Sequence, residues 1–259
     1  MITEITNRTC LQVTGEDAKS LLQGLITNDM NLLDNQPAIY ACFLTPQGKF
    51  LFDFLITNSQ DGYLLEVLKD DLEAFQKRLK IYSLRAKADF QIRDDLKIYA
   101  GWDNDMPEGA YIDPRLTDLG WRLVTDKVLT TSGTLADYDQ HRAKLTVPDG
   151  SRDLKPELST VYDGNLDLLN AVSLKKGCFL GQELTARVHY RGLVKKRLYT
   201  VQCDHALTDQ DIKTGEGALA GEIFSPYGPY ALALIKTAQT ENQLVNGQKQ
   251  LTLIKPAYL

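Results

Sequence analysis

The sequence predicts an α+β fold that closes with a small β-barrel, and three observations carry this. Over the first hundred residues, apolar strand-like runs alternate with segments of helical period in two strand–helix–strand cycles. Beyond Lys195 the chain breaks into short strand-like runs separated by Asp209, Gly215, Pro226, Gly228, Pro229 and Asn246-Gly247, a pattern typical of small barrels. Finally, 259 residues at 43% hydrophobic content can bury a sizeable core, as one large domain or two to three small ones.

The elements follow in chain order. Thr14-Gly15-Glu16-Asp17 resembles a capping box, and Ala18, Leu21, Leu22 and Leu25 after it share a helical face. Residues 38–45 form an apolar strand, 46–49 a turn, and 50–57 the returning strand. A second turn at 58–62 leads to a strand at 63–68, then to a helix at 70–82 that aligns Leu72, Phe75, Leu79 and Tyr82. Strands at 87–93 and 96–101 complete the first hundred residues. The pattern loosens over 107–120 and resumes with a strand at 121–125. A helix at about 135–145 then runs into the turn Val147-Pro148-Asp149-Gly150.

Composition excludes several classes. The 29 lysines and arginines against 34 acids leave a net charge of −5, which does not support wholesale binding to nucleic acid. No apolar run is long enough to span a membrane and no signal-peptide pattern opens the chain, so the expectation is a cytoplasmic protein without membrane partners. Cys10, Cys42, Cys178 and Cys203 are scattered, which reads as four free thiols. His141, His189 and His205 lack paired metal-ligand spacing, so no metal site is expected. Gly215-Glu216-Gly217-Ala218-Leu219-Ala220 spells a dinucleotide fingerprint, but no helical pattern follows it and it reads as turns.

The most informative stretch is Lys175-Lys176-Gly177-Cys178-Phe179-Leu180-Gly181-Gln182-Glu183. It sets one cysteine beside two lysines, between two glycines, ahead of a helix that begins near Gln182. Nearby cations and a helix N-terminus both favour the thiolate, while glycines permit turns closed to other residues. The Gln182-Glu183 pair can reach back to the loop or out to a ligand. The alternative reading, a small buried apolar thiol beside a solvated Lys-Lys turn, remains open. From Lys175 to Arg197 there are seven cations and one carboxylate: either a patch suited to an anion or a solvated helix face.

At these residues the chain resembles the YgfZ family, folate-binding relatives of the glycine-cleavage T protein that include a mitochondrial iron–sulfur assembly factor. Asn165-Leu166-Asp167, Val172 through Glu183, Arg187 and Arg191-Gly192 match its signature. Leu22 through Asp29, Thr45-Pro46-Gln47-Gly48-Lys49, Asp113-Pro114-Arg115, Gly120-Trp121-Arg122 and Gly221 through Leu234 match in order along the chain. The resemblance implies an aminomethyltransferase-like fold around a central folate pocket. Its first α+β unit would comprise residues 1–47 and 104–192, interleaved with a second at 48–103, and a C-terminal barrel would follow at 193–259. It also implies a tetrahydrofolate or one-carbon-derivative ligand. The implied role is the assembly or repair of iron–sulfur proteins, including tRNA-modifying enzymes.

Candidate residues follow. Asp53 lies in the apolar strand Phe50–Ile56; a buried unpaired carboxylate is costly, so it has a partner, faces a cavity or sits on a half-exposed face. By resemblance, Asp53 and Asp163 are candidates for the pterin edge, Tyr138 for its wall, and Arg8 and Arg187 for the glutamate tail; the alternatives are a turn aspartate before Gly164 for Asp163, a core helix aromatic for Tyr138 and surface arginines for Arg8 and Arg187. Cys178 is the candidate nucleophile, redox thiol or transient cluster ligand, supported by Lys176, Gly177, Gly181, Gln182 and Glu183. T proteins carry two adjacent acids where this chain has Phe52-Asp53, and they lack the Lys-Gly-Cys loop. A folate-dependent one-carbon transferase is therefore the second reading, and a non-catalytic folate-binding scaffold the third.

Overall fold

Two antiparallel sheets and one closed barrel carry the chain. The structure, a computed structural model, describes residues 1–204 and 206–259, so His205 lies outside the described residues. The first half runs β1 (Ile2–Glu4), β2 (Arg8–Thr14), α1 (Ala18–Leu25), β3 (Ala38–Leu44), β4 (Phe50–Ser59), β5 (Gly62–Leu68) and α2 (Leu72–Tyr82). It continues through β6 (Asp89–Ile92), β7 (Lys97–Gly101), β8 (Tyr111–Ile112), β9 (Trp121–Thr125) and α3 (Leu135–Lys144). After a long irregular passage come α4 (Gln182–Tyr190) and the barrel strands β10 (Lys196–Gln202), β11 (Asp211–Thr214), β12 (Leu219–Tyr227), β13 (Tyr230–Lys236), β14 (Leu244–Asn246) and β15 (Lys249–Ile254).

The five-stranded sheet has the order β3-β4-β5-β2-β6. Successive side chains on a strand face opposite ways, and β4 uses both faces. Phe52, Phe54 and Ile56 meet Leu22 and Leu25 of α1 and Phe75 and Leu79 of α2 in one core. Leu55 turns to the other face, as does Phe50 beyond the register shift between Phe43 and Leu44, and there Tyr40, Cys42, Val161, Leu166 and Leu169 form a second core. Asp53 points to that second side, toward the middle of the molecule. The four-stranded sheet has the order β1-β7-β9-β8. Helix α3 joins it to the barrel: Leu135 and Tyr138 pack with Ile98, Ala100 and Trp102, and Ala143 packs with Leu198 and Leu232. The barrel closes in the order β10-β13-β12-β11-β14-β15.

One expectation changes at this level. The residues read as a capping box do not cap α1. The Asp17 carboxylate instead accepts the Lys87 backbone N–H at 2.9 Å, and Gly15, at φ +106°, lies so close to the Lys87 carbonyl that a Cβ would sit 2.1 Å from its oxygen. Tertiary contact with the segment leading into β6 takes the place of the local cap. The division at residues 47 and 48 falls in the β3–β4 turn, and those two strands are hydrogen-bonded neighbours from Ala38–Thr57 to Leu44–Phe50. By hydrogen bonding, strands within 8–92 form one sheet, whereas β1 pairs with β7 to begin the other.

Candidate functional site

The centre of the molecule is ionic. Arg8 is buried and pairs with Asp149 at 2.5 Å and Glu66 at 3.0 Å. Arg122 pairs with Glu66 at 2.8 Å and Asp113 at 3.0 Å, and Arg115 pairs with Asp113 at 2.7 Å. Arg142 holds Asp139 and Asp153, and Arg152 links Asp139 to Asp149. Burial alone would raise the Asp113 carboxyl, but the Arg115 and Arg122 guanidiniums overcome it and hold it well below the usual carboxylate range. Asp149 is likewise held down, against burial, by Arg8, Arg142 and Arg152. Charges taken out of water need such partners.

Beside this ionic core opens a cavity of about 1110 Å³. Tyr40 and Ile39 of β3, Tyr111 of β8, Tyr162 and Leu174 give it apolar and aromatic walls. Asp113 and Asn28 contribute polar groups, and Lys175, His189 and Tyr190 also line it. Tyr40 connects wall to core: its ring lines the cavity and its hydroxyl donates to Asp53 Oδ2 at 2.6 Å. Burial, and then the Asp53 charge, push the Tyr40 phenol well up from its ordinary value, so it remains a donor. Asn170 lines the cavity in a left-handed conformation, φ +62°, with its side-chain amide donating to the Pro114 carbonyl at 3.0 Å.

The Cys178 loop borders this cavity through Lys175. Gly177 and Cys178 are exposed, whereas Lys176 and Phe179 on either side are buried. Cys10, Cys42 and Cys203 are buried, which leaves Cys178 as the exposed thiol. The Lys176 ammonium donates to the carbonyls of Gln23, Ile26 and Asn28 at 2.6, 2.9 and 2.7 Å. Burial pulls its pKa down to about 8, against the Asp29 charge, which favours the charged form. Gly181 begins α4 at φ +83°; a Cβ there would meet the Thr45 carbonyl oxygen at 2.5 Å. Gly181 therefore seats the loop on the turn at 45–48, and Gly48 (φ +69°) returns the close approach. Gly177 needs no such explanation, since a Cβ there would meet nothing within 4 Å.

The other sequence candidates have other partners. Arg8, Asp53 and Tyr138 belong to the ionic core; Arg115 and Arg122 donate to the Tyr138 hydroxyl at 2.7 and 2.8 Å. Asp163 closes its own turn by accepting from the Thr160 backbone and hydroxyl. Arg187 pairs with Glu183 at 3.0 Å on the exposed face of α4, so Glu183 does not reach back to cap the helix. None of Arg8, Asp53, Tyr138, Asp163 and Arg187 lines the cavity. The basic window is also thinner than its composition: Lys176 is spent on carbonyls, Arg187 on Glu183, and Arg197 on Asp167 at 2.5 Å. Lys175, Arg191, Lys195 and Lys196 form no ion pair among the described residues. The sequence reading did not single out Tyr40, Tyr111, Tyr162 or Asn170. The three tyrosines carry no local signal, and only the left-handed preference of asparagine could have pointed to Asn170.

Comparison with known proteins follows from this geometry. Residues 195–259 match the family model described as the CAF17 C-terminal beta-barrel domain. The chain is 34% identical to the human "Iron-sulfur cluster assembly factor IBA57, mitochondrial", over 93% of this chain and 78% of that protein. The mouse protein of the same name is 31% identical over the same shares. The Neurospora crassa homolog is 31% identical over 76% of this chain and 52% of its own length. Among solved structures, the glycine cleavage system aminomethyltransferase T from Bartonella henselae superposes with a TM-score of 0.77. That match covers all of this chain and 86% of the other at 14% identity, and it shows the T-protein-like fold. The expectation of a cytoplasmic protein is corrected by these relatives, which are mitochondrial.

Proposed function

The chain belongs to the family of the iron–sulfur cluster assembly factor IBA57, and from that premise we propose that it serves in iron–sulfur cluster assembly, presenting Cys178 to a partner. The observation that carries this is the exposure of Cys178 on a loop anchored at both ends, while the other three cysteines are buried. Among the described residues no group of three or more histidines, cysteines or acids could hold a metal ion. Iron–sulfur clusters are typically held by four cysteine thiolates. One exposed thiol supplies one of them, so a cluster handled here as cargo takes its other ligands from the partner protein. Clients of this role include cluster enzymes that modify tRNA.

The cavity is proposed to take a reduced folate. Its volume exceeds such a molecule, and Tyr40, Tyr111 and Tyr162 suit a flat ring system. Lys175, which forms no ion pair among the described residues, suits the anionic tail at the rim. The fit also draws on an orphaned buried atom of this wall: the Tyr111 hydroxyl makes no hydrogen bond. Asp53 acts on the pocket through the Tyr40 hydroxyl rather than by direct contact. A reduced folate, when bound, supplies a ring that carries one-carbon units and electrons. The chain's own residues wall off water, orient the ring and keep Cys178 outside the pocket.

The test is anaerobic transfer of a [2Fe–2S] cluster from a scaffold to an apo-ferredoxin, with wild type and Cys178→Ser, and tetrahydrofolate titrated calorimetrically into each. Support is a transfer rate lowered at least tenfold by Cys178→Ser with folate affinity unchanged. Equal transfer by both proteins would overturn the role of the thiol, and absence of folate binding would overturn the assignment of the cavity.

A further inference from the structure

The sequence pairs Lys176 with Cys178 in a way that suggests an activating cation, but the geometry assigns Lys176 a mechanical role. We propose that Lys176 is a positioning residue: its ammonium clamps the Cys178 loop onto the C-terminal end of α1 and so fixes where the thiol stands. The inference rests on the reading of Cys178 as the working thiol.

The last carbonyls of a helix have no partner within it. At α1 the Thr27 N–H, which would continue the helix to the Gln23 carbonyl, bonds instead to Cys42 of β3 at 3.0 Å. The Gln23 carbonyl is thereby released, and Lys176 Nζ takes it at 2.6 Å. The next carbonyl, Gly24, accepts from the Leu180 N–H at 3.2 Å, and the Thr27 carbonyl accepts from the Ser173 N–H at 2.9 Å. Residues 173, 176 and 180 all bind the segment 23–28, and Gly177 and Cys178 are the exposed residues between the last two of these anchors. A cation at a helix C-terminus also answers the helix dipole.

Three donors of an ammonium meet three carbonyls, Gln23, Ile26 and Asn28, and no donor is left for a thiolate. The ammonium also lies 5.4 Å from the centre of the Phe179 ring, which is buried on the far side of Cys178. The residues two before and one after the cysteine are thus both fixed in the body of the protein. Arginine cannot replace this lysine, because a planar guanidinium does not converge on three carbonyls as a tetrahedral ammonium does.

The experiment compares wild type, Lys176→Met and Lys176→Arg in the full chain by two readouts that need neither cluster nor folate. Amide hydrogen exchange reads the Ser173 and Leu180 N–H groups, and iodoacetamide alkylation across pH reads Cys178. The expected result is exchange at both amides about tenfold or more faster in both variants, as loss of a charge-assisted anchor gives, with the midpoint of the alkylation profile unmoved. A higher thiol pKa in Lys176→Met with exchange unchanged would overturn the proposal in favour of electrostatic activation. Full restoration by Lys176→Arg would overturn the three-point geometry. Global unfolding of both variants would overturn the claim that the clamp is local. Failure of cluster transfer in the earlier assay leaves these readouts unaffected, so the two proposals fail separately.

Discussion

Replacing Arg122 by Met tests whether the ionic centre is a structural core. Arg122 is buried, and its guanidinium meets Glu66 Oε1 at 2.8 Å, Asp113 Oδ2 at 3.0 Å and the Tyr138 hydroxyl at 2.8 Å. Removing one partner of a buried ion pair costs about 3–5 kcal/mol because a charge is stranded in low dielectric. Here neither acid is left alone: Glu66 keeps Arg8 and Asp113 keeps Arg115. The cost therefore falls at the low end, about 3 kcal/mol, which in a chain of this size lowers Tm by about 6–12 °C. Urea unfolding with a shared m-value measures it, and a cycle with Glu66→Gln isolates the pair. Coupling of 0.5 kcal/mol or less, or a stabilised Arg122→Met, would refute the reasoning.

The two glycines of the motif are expected to behave oppositely. Gly181→Ala forces a left-handed residue and a Cβ against the Thr45 carbonyl, so thermal unfolding should show a loss of about 2 kcal/mol or more. Gly177→Ala meets open space, so its Tm should stay within about 1 °C, and any loss of cluster transfer would report crowding beside Cys178. Acid stability follows from Asp113 and Asp149, whose carboxyls lie below the ordinary range in the fold. Their contribution is complete above about pH 4, the unfolded value, and drains away as pH falls toward the folded values. Asp71, raised by burial, works in the opposite direction as a single group. Unfolding free energy should therefore fall below about pH 4, and replacing Asp149 with Asn should flatten that decline.

The elements were legible because their signals are local. The helical spacing of Phe75 and Leu79 and the turn residues from 209 to 247 describe α2 and the barrel without reference to distant partners. Of the proposed site, the sequence pointed to Cys178 and its loop but not to the cavity walls. Asp53 sits in an apolar strand, and the sequence left open a partner, a cavity or a half-exposed face. It could not tell that Tyr40, thirteen residues away, supplies the hydroxyl and stands between Asp53 and the open space. Arg8 looked free for an anionic tail because its main partner, Asp149, is 141 residues distant. Charged side chains are assigned by three-dimensional neighbours, and linear spacing does not carry that information.

The same distinction explains the Lys-Gly-Cys loop, in which Lys176, Gly177, Phe179 and Gly181 do different work. Lys176 and Gly181 each face a specific part of the body, the carbonyls after α1 and the turn at 45–48, and both contacts would be lost by substitution. Phe179 keeps its ring in the second core. Gly177 alone has neither a strained backbone nor a close neighbour. Its small size matters only to something that approaches from outside, and the residue it adjoins is the exposed thiol. A loop anchored on three sides and bare on the fourth suits the proposed delivery of a ligand to a partner protein, whereas chemistry within a pocket would call for the thiol to face the cavity that Lys175 lines.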